Sequence, residues 1–339
     1  MAPGHAKTRV LITGARGFVG PHAAEALHRV CGPEVEVFAT AREAGEHPVF
    51  GLVEVLDVTD GAAVAAAITH YAPTHVLHLA GIAAPAAVNA DPEAAWRVHV
   101  QGARNLGLAI LRDAPECWLL HVGSGMVYGD TAKLGLPLRE DALLAPADEY
   151  SVTKAAADLT LGALARRGLR CLRFRPFNHT GPGQTAAFVV PAFAKQIAMI
   201  EAGLMQPVIR VGNLEAERDF LDVRDVARSY ALAVRASQSL ESGTIFNISS
   251  GVPRRIEEIL NRLLAQTPVK ITVEQDQKRL RPSDLPRFVG DAHRARELLG
   301  WAPEHTFEDT LVDVLNDWRL IVSKDANRDG IRRGGVECA

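Results

Sequence analysis

Tyr150 and Lys154 stand four residues apart in the segment YSVTK. On a helix that spacing puts both side chains on one face. A tyrosine hydroxyl ordinarily ionises near pH ~10, too high for efficient proton exchange at neutral pH. A neighbouring ammonium stabilises the phenolate and is expected to lower that value. Ser124, in HVGSGMVYG, can hold a carbonyl oxygen beside Tyr150. Such a trio suits reduction of a ketone or oxidation of an alcohol. A second group of residues suits a dinucleotide. Thr13–Gly20 reads TGARGFVG, with Gly14, Gly17 and Gly20 three apart and Phe18 and Val19 leading into a helical run. Glycines there allow a tight turn, let backbone N–H groups approach a pyrophosphate, and place it at a helix N-terminus.

The type of dinucleotide is read from the next strand. A carboxylate at its tip would bond the ribose 2′-hydroxyl. The segment FATAREAG instead has Thr40, Ala41 and Arg42 there, and Glu43 lies one place too far along. Arg42 and Arg16 can clamp a 2′-phosphate through charge-assisted bonds. NADPH is therefore expected, with NAD as the alternative. Asp57 and Val58 close the third strand, where a carboxylate and a backbone N–H can read an adenine edge. Leu79, Ala80 and Gly81 end the fourth strand with small residues beside the pyrophosphate.

Positioning these residues requires βαβ units. β-branched runs at Val10–Thr13, Val35–Ala39, Leu52–Leu56, His75–Leu79, Trp118–Val122 and Leu169–Phe174 alternate with helical runs at Gly20–Val30, Ala62–Tyr71, Glu93–Asp113 and Ala155–Arg166. The alternation predicts an α/β fold, a Rossmann-type doubly wound parallel sheet covered by helices on both faces. After Arg175 the pattern changes. PFNHTGPGQ (176–184) is dense in turn residues. Helices are expected at Ala186–Gly203, along VRDVARSYALAV, and at Arg254–Leu264, Ala292–Leu299 and Phe307–Ile321, with a strand at Gly243–Ser249. The expected division is a dinucleotide-binding domain over 1–178 and 214–248. A smaller mixed α+β substrate lobe takes 179–213 and 249–322, and the polar tail 323–339 is expected to fray.

The 339 residues are 47% hydrophobic and 23% charged, with a net charge of −3. That composition excludes wholesale disorder and gives no general attraction to nucleic acid or an anionic membrane. No apolar run approaches the ~20 residues that span a bilayer, and the N-terminus lacks an apolar leader core. The four cysteines are scattered, and Cys117 and Cys171 open apolar runs, as buried thiols do. His75 and His78 lie on a strand and no HExxH or CxxC pattern occurs, so no metal is expected. A cytoplasmic protein is expected.

TGARGFVG, HLAG, GSGMVYG and YSVTK, in this order and spacing, resemble the extended short-chain dehydrogenase/reductases of the nucleotide-sugar epimerase/dehydratase kind, from about Arg9 to about Trp318. The resemblance implies that Ser124 and Tyr150 bond the substrate oxygen, with Tyr150 as acid/base, and that Lys154 holds the nicotinamide ribose. Tyr128 reads as packing. His99 stands where that family usually has Asn. Family dehydratases carry an acid pair after the serine, because elimination needs a base and an acid. Here Gly125 and Met126 stand there, so dehydration is disfavoured.

PFNHTGPGQ, VGNLEAERDFLDVRDV and RLRPSDLPRFVGD are similar to the branch that reduces GDP-4-keto-6-deoxy-D-mannose to GDP-D-rhamnose. By that resemblance Asn178, Arg218 and Arg281 meet the substrate diphosphate, Arg279 and Asp284 lie beside ribose or phosphate, and Lys195 reaches the nucleotide. His179 can touch substrate or merely satisfy its turn. The resemblance also implies a homodimer through Glu93–Asp113 and Tyr150–Arg166. Two other readings remain at this stage. One is a 4-epimerase or ketoreductase of dTDP- or UDP-sugars; the other is a non-catalytic dinucleotide sensor.

Overall fold

The computed structural model describes residues 7–279 and 285–334. Its first half runs β1 (Arg9–Thr13), α1 (Val19–Cys31), β2 (Glu36–Ala41), β3 (Gly45–His47), β4 (Gly51–Val55), α2 (Gly61–Tyr71), β5 (His75–His78), α3 (Pro85–Ala90), α4 (Pro92–Ala95), α5 (Gly102–Asp113), β6 (Trp118–Val122), α6 (Glu149–Ala165) and β7 (Cys171–Pro176). A π-helical turn, Trp96–Gln101, joins α4 to α5, and a tight 3-10 stretch, Gly125–Leu134, follows β6.

Eight strands form one sheet in the order β11-β7-β6-β5-β1-β2-β4-β3, where β11 is Ile245–Ile248. Every pairing is parallel except the β3–β4 hairpin. From the central β1 the chain builds outward through β2, then returns to the other side at β5. The crevice between the C-terminal ends of β1 and β5 is the point where a doubly wound sheet takes its ligand. Residues 10–13 of β1 are all buried because helices cover both faces. On one face Val10, Ile12, Leu27, Leu120 and Phe174 pack with α1 and α8 (Val223–Ala236); on the other Leu11, Val76, Leu119, Leu106 and Leu161 pack with α2, α5 and α6.

The second half adds β8 (Asn178–Thr180), α7 (Val189–Glu201), β9 (Val208–Val211), β10 (Glu217–Asp222), β12 (Pro253–Arg255), α9 (Ile256–Leu264), β13 (Thr272–Gln275), β14 (Arg287–Phe288), α10 (His293–Leu299) and α11 (Phe307–Gly334). Phe193, Ile197, Leu260, Leu311 and Trp318 join α7, α9 and α11 in a separate apolar cluster. β10 is central here, pairing with β8, β12 and β14. No helix among the described residues is long and apolar enough to cross a membrane.

Several elements differ from expectation. The Glu93–Asp113 helix is not continuous, because the π-turn interrupts it. The strand expected at Leu52–Leu56 is β4, whereas its hairpin partner β3 and the three-residue strands of the second half escape detection, since such short segments have no measurable period. Arg254 and Arg255 belong to β12, not to the helix that follows. α11 continues to Gly334, past Ser323, where fraying is expected from the polar composition.

Candidate active site

The C-terminal ends of β1, β2, β5, β6 and β7 open into a cleft of about 1010 Å³, closed on the far side by α7, β9 and β10. Its floor is the turn between β1 and α1. Gly14 has φ +72°, and a Cβ there would lie 2.6 Å from both Cα and N of Ala80. The turn can therefore sit against the end of β5 only as glycine. α1 begins with no side-chain cap and no acid in its first turn, so no side chain of that turn offsets its dipole at the cleft. Gly17, Phe18, Val19, Gly20, Leu79, Ala80 and Gly81 line the same wall. This cradle fits a dinucleotide pyrophosphate.

At the rim, Arg16 and Arg42 are exposed and line the cleft. The Arg16 guanidinium lies against Gly45, where a Cβ would come within 2.9 Å of it. Asp57 and Val58 also line this end. The Asp57 carboxylate already accepts from the Thr59 N–H (2.9 Å) and hydroxyl (2.8 Å), which together with nearby Arg42 hold it below its ordinary range.

α6 delivers Tyr150 and Lys154 from one face. Its start is set by a capping box: Asp148 accepts from Ser151 N–H at 2.7 Å, and the Ser151 hydroxyl accepts from Asp148 N–H. Its middle is anchored by the fully buried Asp158, which accepts from Arg173 (2.8 Å) and Arg175 (2.9 Å) on β7. Arg175 also donates to the Tyr128 hydroxyl (2.9 Å), which donates to Asn247 on β11. Tyr128 is thus a structural link, as its packing role suggests. These bonds tie α6 and the 3-10 stretch after Ser124 to the sheet.

Ser124 ends the β6 segment, buried, and its oxygen accepts from Met126 N–H at 3.1 Å. The Tyr150 hydroxyl faces the Ser124 side chain. Burial raises the Tyr150 pKa above its ordinary value; the Ser124 side chain opposes that and Asp148 adds to it. The lowering expected from Lys154 is not seen, because the ammonium turns to the Val122 carbonyl at 3.4 Å. Burial brings Lys154 itself down to about 8. Beside them His99 is buried and its ring meets that of Tyr150 edge-on at 6.0 Å.

On the opposite wall stand Asn178, Arg218 and Arg279. Arg218 donates to the Glu217 (2.9 Å) and Leu285 (2.7 Å) carbonyls, which fix its guanidinium at the edge of β10. Arg279 lies 3.6 Å from Asp276. Lys195 is not part of the cleft: it is exposed on α7 with its ammonium over the Trp318 ring at 5.6 Å, because it points from the helix face opposite Phe193. Arg281 and Asp284 lie outside the described residues. His179 donates from Nδ1 to the Phe177 carbonyl (2.9 Å) and stacks on Phe18 (6.0 Å), so it satisfies its turn and also joins the glycine turn to β8. Ile82, Arg210 and Asn213 line the cleft and were not singled out from the sequence. The Gly212-Asn213 pair after a β-branched run was the available signal.

Among known proteins, a family model described as GDP-mannose 4,6 dehydratase matches residues 11–314. The GDP-6-deoxy-D-mannose reductase of Pseudomonas aeruginosa is 32% identical over 318 residues, covering 94% of this chain and 99% of that protein. The structure of RMD from the same organism, complexed with NADPH, superposes with a TM-score of 0.80 at 30% identity, over 92% of this chain and 99% of that one. The UDP-glucose 4-epimerase of Thermus thermophilus, in complex with NAD, gives a TM-score of 0.79 at 27% identity, over 92% and 99%.

Proposed function

The chain belongs to the GDP-mannose 4,6 dehydratase family, and on that premise we propose that it uses NADPH to reduce the 4-keto group of GDP-4-keto-6-deoxy-D-mannose, giving GDP-D-rhamnose. One observation carries the choice of reaction. Ser124, Tyr150 and Lys154 meet in one cleft with the glycine cradle, while Gly125 and Met126 beside them offer no group that transfers a proton. The site can complete a ketone reduction and lacks the pair needed to eliminate water.

The cradle of Gly14, Gly17 and Gly20 would hold NADPH, which would supply the hydride for the ketone. The Ser124 hydroxyl donates to the ketone oxygen and Tyr150 gives it a proton as negative charge develops there. A phenol kept protonated by burial is suited to that donor role. Lys154 holds the nicotinamide ribose from the same face of α6. Asn178 and Arg218 face the substrate diphosphate, joined by Arg281 on resemblance alone, and Arg279 and Asp284 are assigned beside ribose or phosphate; Arg16 and Arg42 face the cofactor 2′-phosphate. In this reading 1–178 and 214–248 carry the cofactor, and 179–213 with 249–322 carry the nucleotide sugar. We assign the enzyme to the cytoplasm, as a homodimer through residues 93–113 and 150–166.

The test incubates the purified protein with NADPH and GDP-mannose, alone and after a separate dehydratase, and follows the sugars chromatographically. Reduced sugar is expected only in the coupled reaction. A 4-keto product from GDP-mannose by this protein alone refutes the reading, as does a preference for the dTDP analogue.

A further inference from the structure

His99 sits in the middle of the π-turn Trp96–Gln101, 2% exposed, with both ring nitrogens engaged. A widened helical turn of this kind often marks a functional position, because it displaces one side chain from the regular helical spacing. The Ile82 backbone N–H donates to His99 Nε2 at 2.9 Å. A backbone N–H can only donate, so Nε2 carries no proton and the ring proton lies on Nδ1. That proton goes to Thr153 Oγ1 at 2.9 Å, and the Thr153 hydroxyl donates in turn to the Tyr150 carbonyl at 2.9 Å. The direction of every bond in the chain is thereby determined.

The two ends of this chain belong to different walls of the cleft. Ile82 follows Gly81 at the end of β5, on the cradle side. Tyr150 and Thr153 lie in the first two turns of α6. Gly81 is where the walls meet: a Cβ there would lie 3.2 Å from Lys154 Nζ and 3.4 Å from the His99 ring. A second contact holds the π-turn to α6, from the Trp96 indole N–H to Glu149 at 3.3 Å.

We propose that His99 is a positioning residue which, locked as the Nδ1–H tautomer, clasps the Ile82 turn to the start of α6 and so sets Tyr150 and Lys154 against the cofactor cradle. It touches no reacting atom; it acts through Thr153 and Ile82. A protonated ring would have to release the Ile82 N–H, so the clasp requires the neutral ring. Burial, with the Lys154 ammonium on α6 and His78 on β5 facing it, keeps it in that form.

The proposal rests on the assignment of Ser124, Tyr150 and Lys154 as the reducing site, and its test has a readout that does not. Full-length His99→Phe keeps an aromatic ring but no polar atom; His99→Gln keeps one acceptor and one donor. NADPH affinity, followed by cofactor fluorescence, is expected to weaken about tenfold in His99→Phe, the order expected when a buried N–H loses its acceptor, and to return to within about twofold in His99→Gln. With the keto-sugar, kcat is expected to fall at least about tenfold in His99→Phe while the sugar KM changes little. Thr153→Val should cost about as much in kcat as His99→Phe, and the double variant no more than either, since both break one chain.

Unchanged NADPH affinity in a folded His99→Phe overturns the proposal, as does equal loss in the Gln variant or additivity with Thr153→Val. If the wild-type protein reduces no keto-sugar, the reaction reading fails, and the NADPH arm still decides the clasp.

Discussion

Replacing Gly14 by Ala should damage the cofactor cradle far more than its single methyl suggests. Two costs add. At φ +72° a residue with a Cβ gives up about 1–2 kcal/mol relative to glycine. The new Cβ would also lie 2.6 Å from Cα and N of Ala80, about 0.8 Å short of the 3.4 Å at which ordinary contact begins. The obstacle is backbone at the end of the buried β5, which cannot swing aside as a side chain can. The β1–α1 turn must therefore retreat by about that distance from the position that aims its N–H groups. A misplacement near ~1 Å can cost about a hundredfold where geometry is demanding. We expect NADPH affinity to fall between about tenfold and a hundredfold, measured by cofactor fluorescence titration. Gly32→Ala is the control, because Gly32 has φ +89° and nothing within 4 Å of its Cβ position. It bears the conformational cost without the clash and should bind NADPH like the parent while losing a similar increment of urea stability. If Gly14→Ala binds NADPH within twofold of the parent, the close approach of cradle and β5 does not control the site.

Tyr150→Phe should lower kcat by ~10²–10⁴-fold with little change in NADPH affinity, because it removes the proton donor and leaves the cradle intact; steady-state kinetics with near-normal turnover would exclude the role. Arg42→Ala should narrow the ratio of kcat/KM for NADPH over NADH, since it removes one of the two guanidiniums at the rim; an unchanged ratio would remove Arg42 from phosphate recognition. Stability should fall in acid. His75 is held down to about 4 and His78 and His99 to about 3, each chiefly by burial, whereas the unfolded chain takes up these protons near ~6.5. The unfolded state therefore binds more protons between those values, so stability is full above ~6.5 and is lost as pH falls toward 4. A urea midpoint that stays constant from pH 7 to pH 5 would contradict this.

Residues close in sequence made the cofactor half legible. The glycine spacing, the apolar strand before it and the missing carboxylate at Arg42 are local facts, and a parallel sheet follows from strand–helix alternation because buried strands must be apolar throughout. The i, i+4 relation of Tyr150 and Lys154 is likewise local, as a helical repeat requires. What the chain order could not reveal is which groups meet from distant segments. Lys154 turns to Val122 instead of the phenol, Lys195 packs on Trp318 away from the cleft, and Arg218 is braced by Leu285, all settled by packing between elements far apart in sequence. The short strands around β10 exist because their backbone groups find partners in the fold, not because of any repeat in their residues. His99 shows the division most plainly. Its type and position are in the sequence, but its tautomer depends on the Ile82 N–H, seventeen residues away, and its second bond on Thr153, fifty-four residues away. Only folding brings a donor and an acceptor to opposite edges of one ring.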